Sequence, residues 1–234
     1  MSENKPILET MKAGRPTYSS LDLPKEIPLF PLAGVVLLPH GQLPLNIFEE
    51  RYIALFDDAL RDNRIIGMIQ PQEITTGLTD DDALLFKTGC AGRITAFEET
   101  GDGRYMVTLT GLCRFRLLRE LPMKNGYRRA VPDWTRYYCD LGEENADNFD
   151  RTRLESLLEN YFDMHGLECD WRMIGNTCNE KLITVLSMVC PLDYCEKQAL
   201  LEADCCYNRA RLFMDMLEMA LHGERLHDCS AIAH

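Results

Sequence analysis

The spacing of apolar residues changes near residue 140, and this change constrains the fold more than any other feature of the sequence. Before it, short apolar runs and apolar–polar alternation lie between turn residues, a pattern typical of β-strands. From Asp150 onward, apolar residues recur every three or four positions, as in amphipathic helices. Strands followed by helices favour an α+β fold, in which the helices pack beside the sheet.

A hairpin is the clearest element of the first half. Its arms run over Cys90–Glu98 and from Tyr105 past Gly111, and residues 101–103 supply the turn. The other predicted elements are, in chain order, a short buried strand at Val35–Leu38, a turn at residues 40–42, a helix with an apolar stripe from Phe48 to Leu60 that stops near Asn63, a strand at Ile65–Gln70 and a strand at Tyr127–Val131. Together they predict a small, mostly antiparallel sheet that curls into a barrel with one inserted helix.

Four helices of modest length are predicted in the second half, and their short links favour a bundle. The first carries an apolar stripe over Leu154–Phe162. Thr177 and Glu180 have the spacing of a capping box before the second, and Asp193 can cap the third. Gly223 follows the last apolar stripe and is the predicted stop signal.

Charge is distributed unevenly between the two halves. Residues 140–234 hold 19 acidic and 8 basic residues, a net charge of -11, whereas residues 1–139 hold 18 and 17, a net charge of -1. This split predicts two subdomains with different surfaces. The net charge of -12 over the whole chain disfavours nucleic acid as a general partner, because binding it requires positive surface that replaces phosphate counterions.

The start of the chain and its cysteines indicate where the protein works. Residues 1–10 lack the apolar core of a secretory signal, and the most apolar stretch, residues 29–39, is much shorter than the ~20 residues of a membrane helix. We therefore expect a cytoplasmic protein without a membrane span. The ten cysteines form no C-x-x-C motif, so the usual zinc spacing is absent and we expect reduced, packed thiols rather than a disulfide framework.

Several segments resemble the Lon protease amino-terminal, substrate-binding domain family. The opening matches are Ile27–Leu32 (IPLFPL), Val35–Pro39 (VVLLP) and Leu43–Tyr52 (LPLNIFEERY). Further matches follow in the same order at Gly89–Ile94, Gly111–Phe115 and Glu196–Glu202. The resemblance covers residues 24–222, and its specificity lies in the ordered set rather than in any single motif.

The resemblance implies a fold and a function. The implied fold is a PUA-like, curled β-barrel with an inserted helix, followed by a helical bundle. The division it predicts is a flexible tail at residues 1–23, a β subdomain at 24–139, a helical subdomain at 140–222 and a second tail at 223–234. In full Lon proteases this region helps to recognise unfolded or tagged proteins. The implied function is a non-catalytic module that binds unfolded or extended polypeptide, with a protease or chaperone system as a further partner class.

No motif for ATP hydrolysis or proteolysis accompanies these segments. A P-loop needs a Gly-Lys step, and none of the fifteen glycines is followed by lysine. The H-E-x-x-H and G-x-S-x-G motifs are also absent. We predict no enzyme, no cofactor and no metal. A cysteine-dependent enzyme stays an open alternative, because a catalytic cysteine and histidine need to be adjacent only in space.

The candidate ligand-binding residues are those where strand, turn and first helix meet. They are Phe30, Phe48, Glu49, Arg51 and Tyr52. We expect them to line a groove between sheet and helices that holds apolar or extended polypeptide. The alternative is that they form the core and turn that fix the first helix.

A basic segment supports a second hypothesis. Gly103–Arg136 holds eight basic and two acidic residues, and aromatic residues lie near its basic positions. Such segments bind single-stranded RNA through phosphate contacts and base stacking. The candidate residues are Arg114, Arg116, Arg128 and Arg129. The alternatives are a solvated strand face and a patch that pairs with an acidic protein or with the acidic helical half.

Overall fold

A computed structural model describes residues 23–72, 83–142 and 149–231, with side chains described as far as residue 222. Within these residues the strands and one helix come first, and the other helices follow. This order confirms the predicted α+β class. Residues 1–22 of the predicted N-terminal tail lie outside the described part of the chain.

Residues 23–142, here called the sheet half, contain six strands and one α-helix among their described residues. In chain order these are β1 (Ile27–Pro31), β2 (Gln42–Ile47), α1 (Glu50–Arg61), β3 (Ile65–Ile69), β4 (Thr88–Glu99), β5 (Tyr105–Lys124) and β6 (Tyr127–Asp133). A 3-10 helix at Thr135–Leu141 closes this half. The predicted hairpin, inserted helix, β3 and β6 are confirmed.

The strand predicted at Val35–Leu38 is wrong, although its side chains are buried as expected. Residues Val36–Leu38 belong to the core, but the segment has no regular secondary structure. Its backbone lies against Gly111 of β5, where a Cβ atom would stand 2.0 Å from the Leu38 carbonyl oxygen. The His40 N–H donates to the Gly111 carbonyl at 3.0 Å. This segment is therefore held by a close backbone contact with a glycine and not by the hydrogen bonds of a β-sheet.

Strand β2 is absent from the predicted elements, and the turn before it ends one residue earlier than expected. The strand begins at Gln42, and its burial alternates, with Leu45 and Ile47 buried and Pro44 and Asn46 exposed. Proline is rare inside a sheet because it has no N–H to donate. Pro44 is tolerated because β2 is the terminal strand in the sheet order.

The sheet is mixed, and its last strand pairs with two other strands. The strand order is β2-β5-β4-β3-β1-β6, and β6 also pairs with β5. The 20 residues of β5 allow this, because Tyr105–Arg116 pairs with β4 and Arg116–Lys124 pairs with β6. β1 and β3 run parallel, and the other pairings of the described strands are antiparallel, which confirms the expectation of a mostly antiparallel sheet. The connection through β2 and α1 is long enough for this crossover.

Residues 149–231, here called the helical half, contain five α-helices among their described residues. These are α2 (Arg151–His165), α3 (Trp171–Asn176), α4 (Asn179–Val189), α5 (Tyr194–Glu202) and α6 (Cys206–Ala231). The short α3 is additional to the four predicted helices. Gly223 does not end α6 as predicted, because glycine costs a helix about 1 kcal/mol without removing a hydrogen bond.

The predicted helix caps differ in outcome. Asp193 caps α5 as expected, and it forms a capping box with the residue three positions later. The capping box predicted at Thr177 and Glu180 is wrong. Cys178 is the N-cap of α4, and the Thr177 hydroxyl donates to the Met173 carbonyl at 2.7 Å instead. A threonine hydroxyl can bond back into the preceding helix, and α3 supplies that competing acceptor.

Candidate functional site

The candidate residues lie where β2 passes into α1. β2 ends at Ile47 and α1 begins at Glu50, so Phe48 and Glu49 form the link. The Phe48 side chain is 62% exposed. Glu49 is the N-cap of α1 without a side-chain cap, and its carboxylate accepts a hydrogen bond from Arg51 Nε at 3.0 Å within an ion pair. The link therefore presents an aromatic ring and an ion pair to solvent.

Two of the candidates lie beneath this link. Phe30 and Tyr52 are buried, and their rings meet edge to face with centroids 4.4 Å apart. The Arg51 guanidinium lies 4.6 Å from the Tyr52 ring centroid. The structure thus gives the five candidates two roles. Phe30 and Tyr52 form core support, Phe48 and Glu49 are exposed, and Arg51 is partly buried, with 24% of its side chain exposed. We call this group of five residues the β2–α1 corner.

Sequence reasoning missed the neighbours that β5 contributes to the corner. Asn46 pairs with Met106 across β2 and β5. Alternation along the strand therefore places Phe48 on the same face as Asn46, diagonal to Met106. Met106 is 44% exposed, and the Arg104 guanidinium lies 5.8 Å from the Phe48 ring centroid. The sequence signal for this neighbour was a methionine at an outward position between Tyr105 and the buried Val107. Only the register of β2 with β5 shows that this methionine lies beside Phe48.

Arg114 is buried, so its predicted place in an exposed basic patch is wrong. Its side chain is 0% exposed and pairs with Asp140 through Nη2–Oδ1 at 2.7 Å and Nε–Oδ2 at 2.9 Å. Nη1 donates to the Leu201 and Ala203 carbonyls of the helical half at 3.1 and 2.5 Å. Burial alone would lower the pKa of Arg114, but the hydrogen bonds and charge of Asp140 raise it. This guanidinium joins the two halves and is inaccessible to RNA.

The other three arginines do not combine into one basic surface. Arg128 is buried, which also contradicts the prediction, and it donates to the Glu120 carboxylate at 2.6 and 2.7 Å. Arg129 pairs with Glu26 at 2.5 Å. Arg116 is the exposed member. Acidic partners, Glu120 within the segment and Glu26 and Asp140 outside it, pair with the arginines that a local count assigned to a basic surface.

Four of the described cysteines, Cys90, Cys113, Cys190 and Cys206, are buried. Burial raises the pKa of the Cys90 and Cys113 thiols and raises the pKa of Cys190 to about 12. A thiol with a raised pKa holds little thiolate near neutral pH, so these three are poor nucleophiles. Of the neighbours Cys205 and Cys206, Cys206 is buried and Cys205 is partly exposed.

Two further kinds of feature are absent from the described residues. No group of three or more His, Cys, Asp or Glu side chains among them is placed to hold a metal ion. None of their helices is both long and apolar enough to cross a membrane.

Known proteins with similar sequences are Lon proteases. A family model described as the ATP-dependent protease La (LON) substrate-binding domain matches residues 26–219. Lon protease 2 of Myxococcus xanthus is 34% identical over 120 residues, which are 49% of this chain and 14% of that protein. The Lon protease of Buchnera aphidicola subsp. Baizongia pistaciae is 27% identical over 199 residues, which are 82% of this chain and 25% of that protein. The chain therefore spans a quarter or less of these relatives.

Two solved structures share the fold. The Lon N-terminal domain protein from Xanthomonas campestris aligns with a TM-score of 0.56 at 24% identity, over 81% of this chain and 97% of that chain. The N terminal domain of Mycobacterium avium complex Lon protease aligns with a TM-score of 0.56 at 15% identity, over 83% and 98%. At these identities the likeness concerns the fold alone. Because the family match takes in both the sheet half and the helical half, the chain belongs to the LON substrate-binding domain family.

Proposed function

We propose that this chain is a non-catalytic module that binds unfolded or extended polypeptide at the β2–α1 corner. The observation that carries the proposal is the position of Phe48, whose ring is 62% exposed between a strand and a helix. Large exposed aromatic residues held by ordered structure are typical anchors of binding surfaces. Membership of a substrate-binding family supports polypeptide as the ligand class.

An unfolded chain exposes apolar side chains and polar groups, and the corner has groups that can contact both. The Phe48 ring and the exposed Met106 side chain can bury apolar side chains, and the flexible thioether adapts to different shapes. Glu49 and Arg51 supply a charged acceptor and a charged donor beside the ring. The buried contact between core residues beneath them fixes the link in advance, so binding loses less conformational entropy.

The proposal extends to the architecture that presents the corner. The hydrogen-bonded path from β5 through β4, β3, β1 and β6 returns to β5, which supports a curled, PUA-like barrel. A separate apolar core formed within the helical half supports a division into a β subdomain at residues 24–139 and a helical subdomain at residues 140–222.

The proposed partners follow from the relatives, which are named Lon proteases. We expect bound polypeptide to pass to a protease or chaperone system in the cytoplasm. Residues 24–222 are expected to hydrolyse neither ATP nor peptide bonds, because the family match is to a substrate-binding domain and the sequence has no P-loop.

Fluorescence anisotropy with labelled, reduced and carboxymethylated α-lactalbumin tests the proposal, because this probe stays unfolded in buffer. Phe48→Ala should weaken binding about tenfold or more, as loss of a central aromatic anchor does. Leu84→Ala is the matched control, since Leu84 is 72% exposed outside the corner. Absence of binding to the unaltered chain, or equal loss in both variants, would overturn the proposal.

A further inference from the structure

Strand β2 has one edge paired, and the pairing fixes which backbone groups remain. Among the described strands, β5 alone pairs with it. The Gly111 N–H donates to the Gly41 carbonyl at 2.8 Å, and this bond between opposite residues sets the phase of the ladder, although the Gly41 N–H donates to the Leu38 carbonyl. Bonded and non-bonded pairs alternate along an antiparallel ladder. Leu43, Leu45 and Ile47 therefore direct their N–H and C=O groups to β5.

The intervening residues direct their backbone groups away from the sheet. Gln42 and Asn46 each present an N–H and a C=O, and Pro44 presents a C=O. Within the described residues, no hydrogen bond is assigned to these outward backbone groups. Pro44 fits this position because it has no N–H to leave unpaired. An edge with unpaired donors and acceptors at every second residue is a template for another strand.

The side chains along this edge specify the segment that fits it. On the inner face, Leu43 is partly buried and packs against the same core cluster as the partly buried Val35. On the outer face, Phe48 and Met106 are exposed. β2 itself carries no charged residue. A strand added here would place every second side chain beside apolar groups, so the matching segment is extended, uncharged and apolar at alternate positions.

We infer that β2 binds an extended polypeptide segment by strand addition. The outward groups of Gln42, Pro44 and Asn46 bind the main chain of the segment, and Phe48 contacts its side chains. This inference rests on the proposed polypeptide binding and names its mode. Main-chain recognition accepts many sequences, because every residue except proline carries the same N–H and C=O groups. A segment with alternating β-branched residues and no proline is the expected ligand class.

Asn46→Pro tests this mode. It removes the outward N–H and places a ring on the edge, while the β5 ladder stays intact because Asn46 makes no bond to it. Pro44 shows that an outward position of β2 accepts proline. The control Asn46→Ala removes the side chain and keeps the N–H. With a fluorescein-labelled Lys-Thr-Val-Thr-Val-Thr-Val-Lys peptide, Asn46→Pro should weaken binding about tenfold or more, and Asn46→Ala about twofold or less.

Carboxymethylated α-lactalbumin separates this inference from the proposed function. If it binds the unaltered chain and the Asn46→Pro variant equally, strand addition is wrong and polypeptide binding stands. If neither probe binds the unaltered chain, both fail. If Asn46→Pro abolishes self-association in sedimentation velocity and leaves peptide binding unchanged, a second copy occupies the edge and the inference is overturned.

Hydrogen exchange of the unaltered chain decides the question even if the proline variant does not fold. Saturating peptide should slow exchange of the Gln42 and Asn46 amides, for which no acceptor is assigned among the described residues. The Leu45 amide already donates to β5, so its exchange should change less. Unchanged exchange at Asn46 with peptide bound would contradict strand addition.

Discussion

Two regions of the molecule differ in the burial of their functional groups. One is the junction between the sheet half and the helical half, where polar groups are buried and paired, and the other is the β2–α1 corner. At the junction, buried Arg114 pairs with Asp140 and donates to carbonyls of the helical half. Gln198, also buried, donates to the Thr88 carbonyl at 3.0 Å and accepts from Gln70 at 3.1 Å. At the corner, by contrast, the ring of Phe48 is exposed.

The difference separates a surface that holds the protein together from one available to a partner. A buried charge or amide without a partner costs several kcal/mol, so the junction needs partners within its own chain. Exposed groups carry no such cost, because water satisfies them. The junction should therefore govern stability with little effect on binding, and the corner should govern binding with little effect on stability.

Removal of the buried arginine should give the largest effect. Arg114→Ala leaves the Asp140 carboxylate buried without its partner, and breaking a buried ion pair costs about 3–5 kcal/mol of unfolding free energy. Urea denaturation monitored by circular dichroism measures this loss. Arg116→Ala, two residues along the same strand but exposed, is the control and should unfold at the same urea concentration as the unaltered chain. Equal midpoints for both variants would remove the distinction between junction and surface.

Stability should also fall at alkaline pH through the buried thiol of Cys190. Burial raises the pKa of this thiol to about 12 from its ordinary value of 9.0. The folded chain therefore keeps the proton that the unfolded chain loses. The stability from this group is complete below pH 9.0 and is lost as the pH rises towards about 12.

Urea denaturation between pH 9 and pH 10.5 isolates this contribution. The slope of unfolding free energy against pH should be shallower in Cys190→Ala by up to about 1.4 kcal/mol per pH unit. Other raised groups contribute to both slopes and cancel in the difference. Cys195→Ala, at an exposed position, should keep the slope of the unaltered chain. Parallel slopes for all three proteins would show that Cys190 ionises equally in the folded and unfolded states.

A smaller effect is expected at the N-terminus of α5, the helix that carries Gln198. Asp193 Oδ1 accepts from the Glu196 N–H at 2.8 Å, and the Asp193 N–H donates to the Glu196 carboxylate at 2.9 Å. Asp193→Ala should cost about 1 kcal/mol, as loss of an N-cap does. Asp204→Ala provides the contrast, because the Asp204 carboxylate accepts from the exposed Arg136. Its melting temperature should match that of the unaltered chain, and a larger loss than in Asp193→Ala would contradict the ranking.

Local pattern predicted much of the fold. The apolar stripe of α1, the β4–β5 hairpin and the Asp193 cap depend on residues close in sequence, and each is confirmed. Long-range contacts produced the errors. Val35–Leu38 has the composition of a strand, but the Gly111 contact with Leu38 gives its backbone a different partner. The parallel pairing of β1 with β3 depends on a crossover that local periodicity does not encode.

The candidate site divides in the same way. The sequence located the β2–α1 corner, because Phe48, Glu49 and Arg51 lie close together in sequence where the strand passes into the helix. It could not find Met106, which reaches the corner through the register of β2 with β5. Counting charge along Gly103–Arg136 likewise missed the pairing of its arginines with Glu26, Glu120 and Asp140, two of which lie outside the segment.

The smallest stability effect should be at Phe48 itself. Because its side chain is 62% exposed, Phe48→Ala removes little buried surface and should change the unfolding free energy by about 0.5 kcal/mol or less. Leu118→Ala, at a residue 58% exposed on β5, is the matched control and should be equally neutral. Thermal denaturation of the two variants measures the effect.

The unchanged stability of Phe48→Ala becomes informative when it is compared with the polypeptide binding of the same variant. If Phe48→Ala leaves stability unchanged but weakens polypeptide binding, Phe48 acts through contact with the bound polypeptide and not through contacts that stabilise the fold. If Phe48→Ala instead destabilised the chain by about 2 kcal/mol or more, the ring would be holding α1 against β2, as core residues do. The corner would then resemble the junction, and the distinction between a holding surface and a binding surface would fail at the residue on which it depends most.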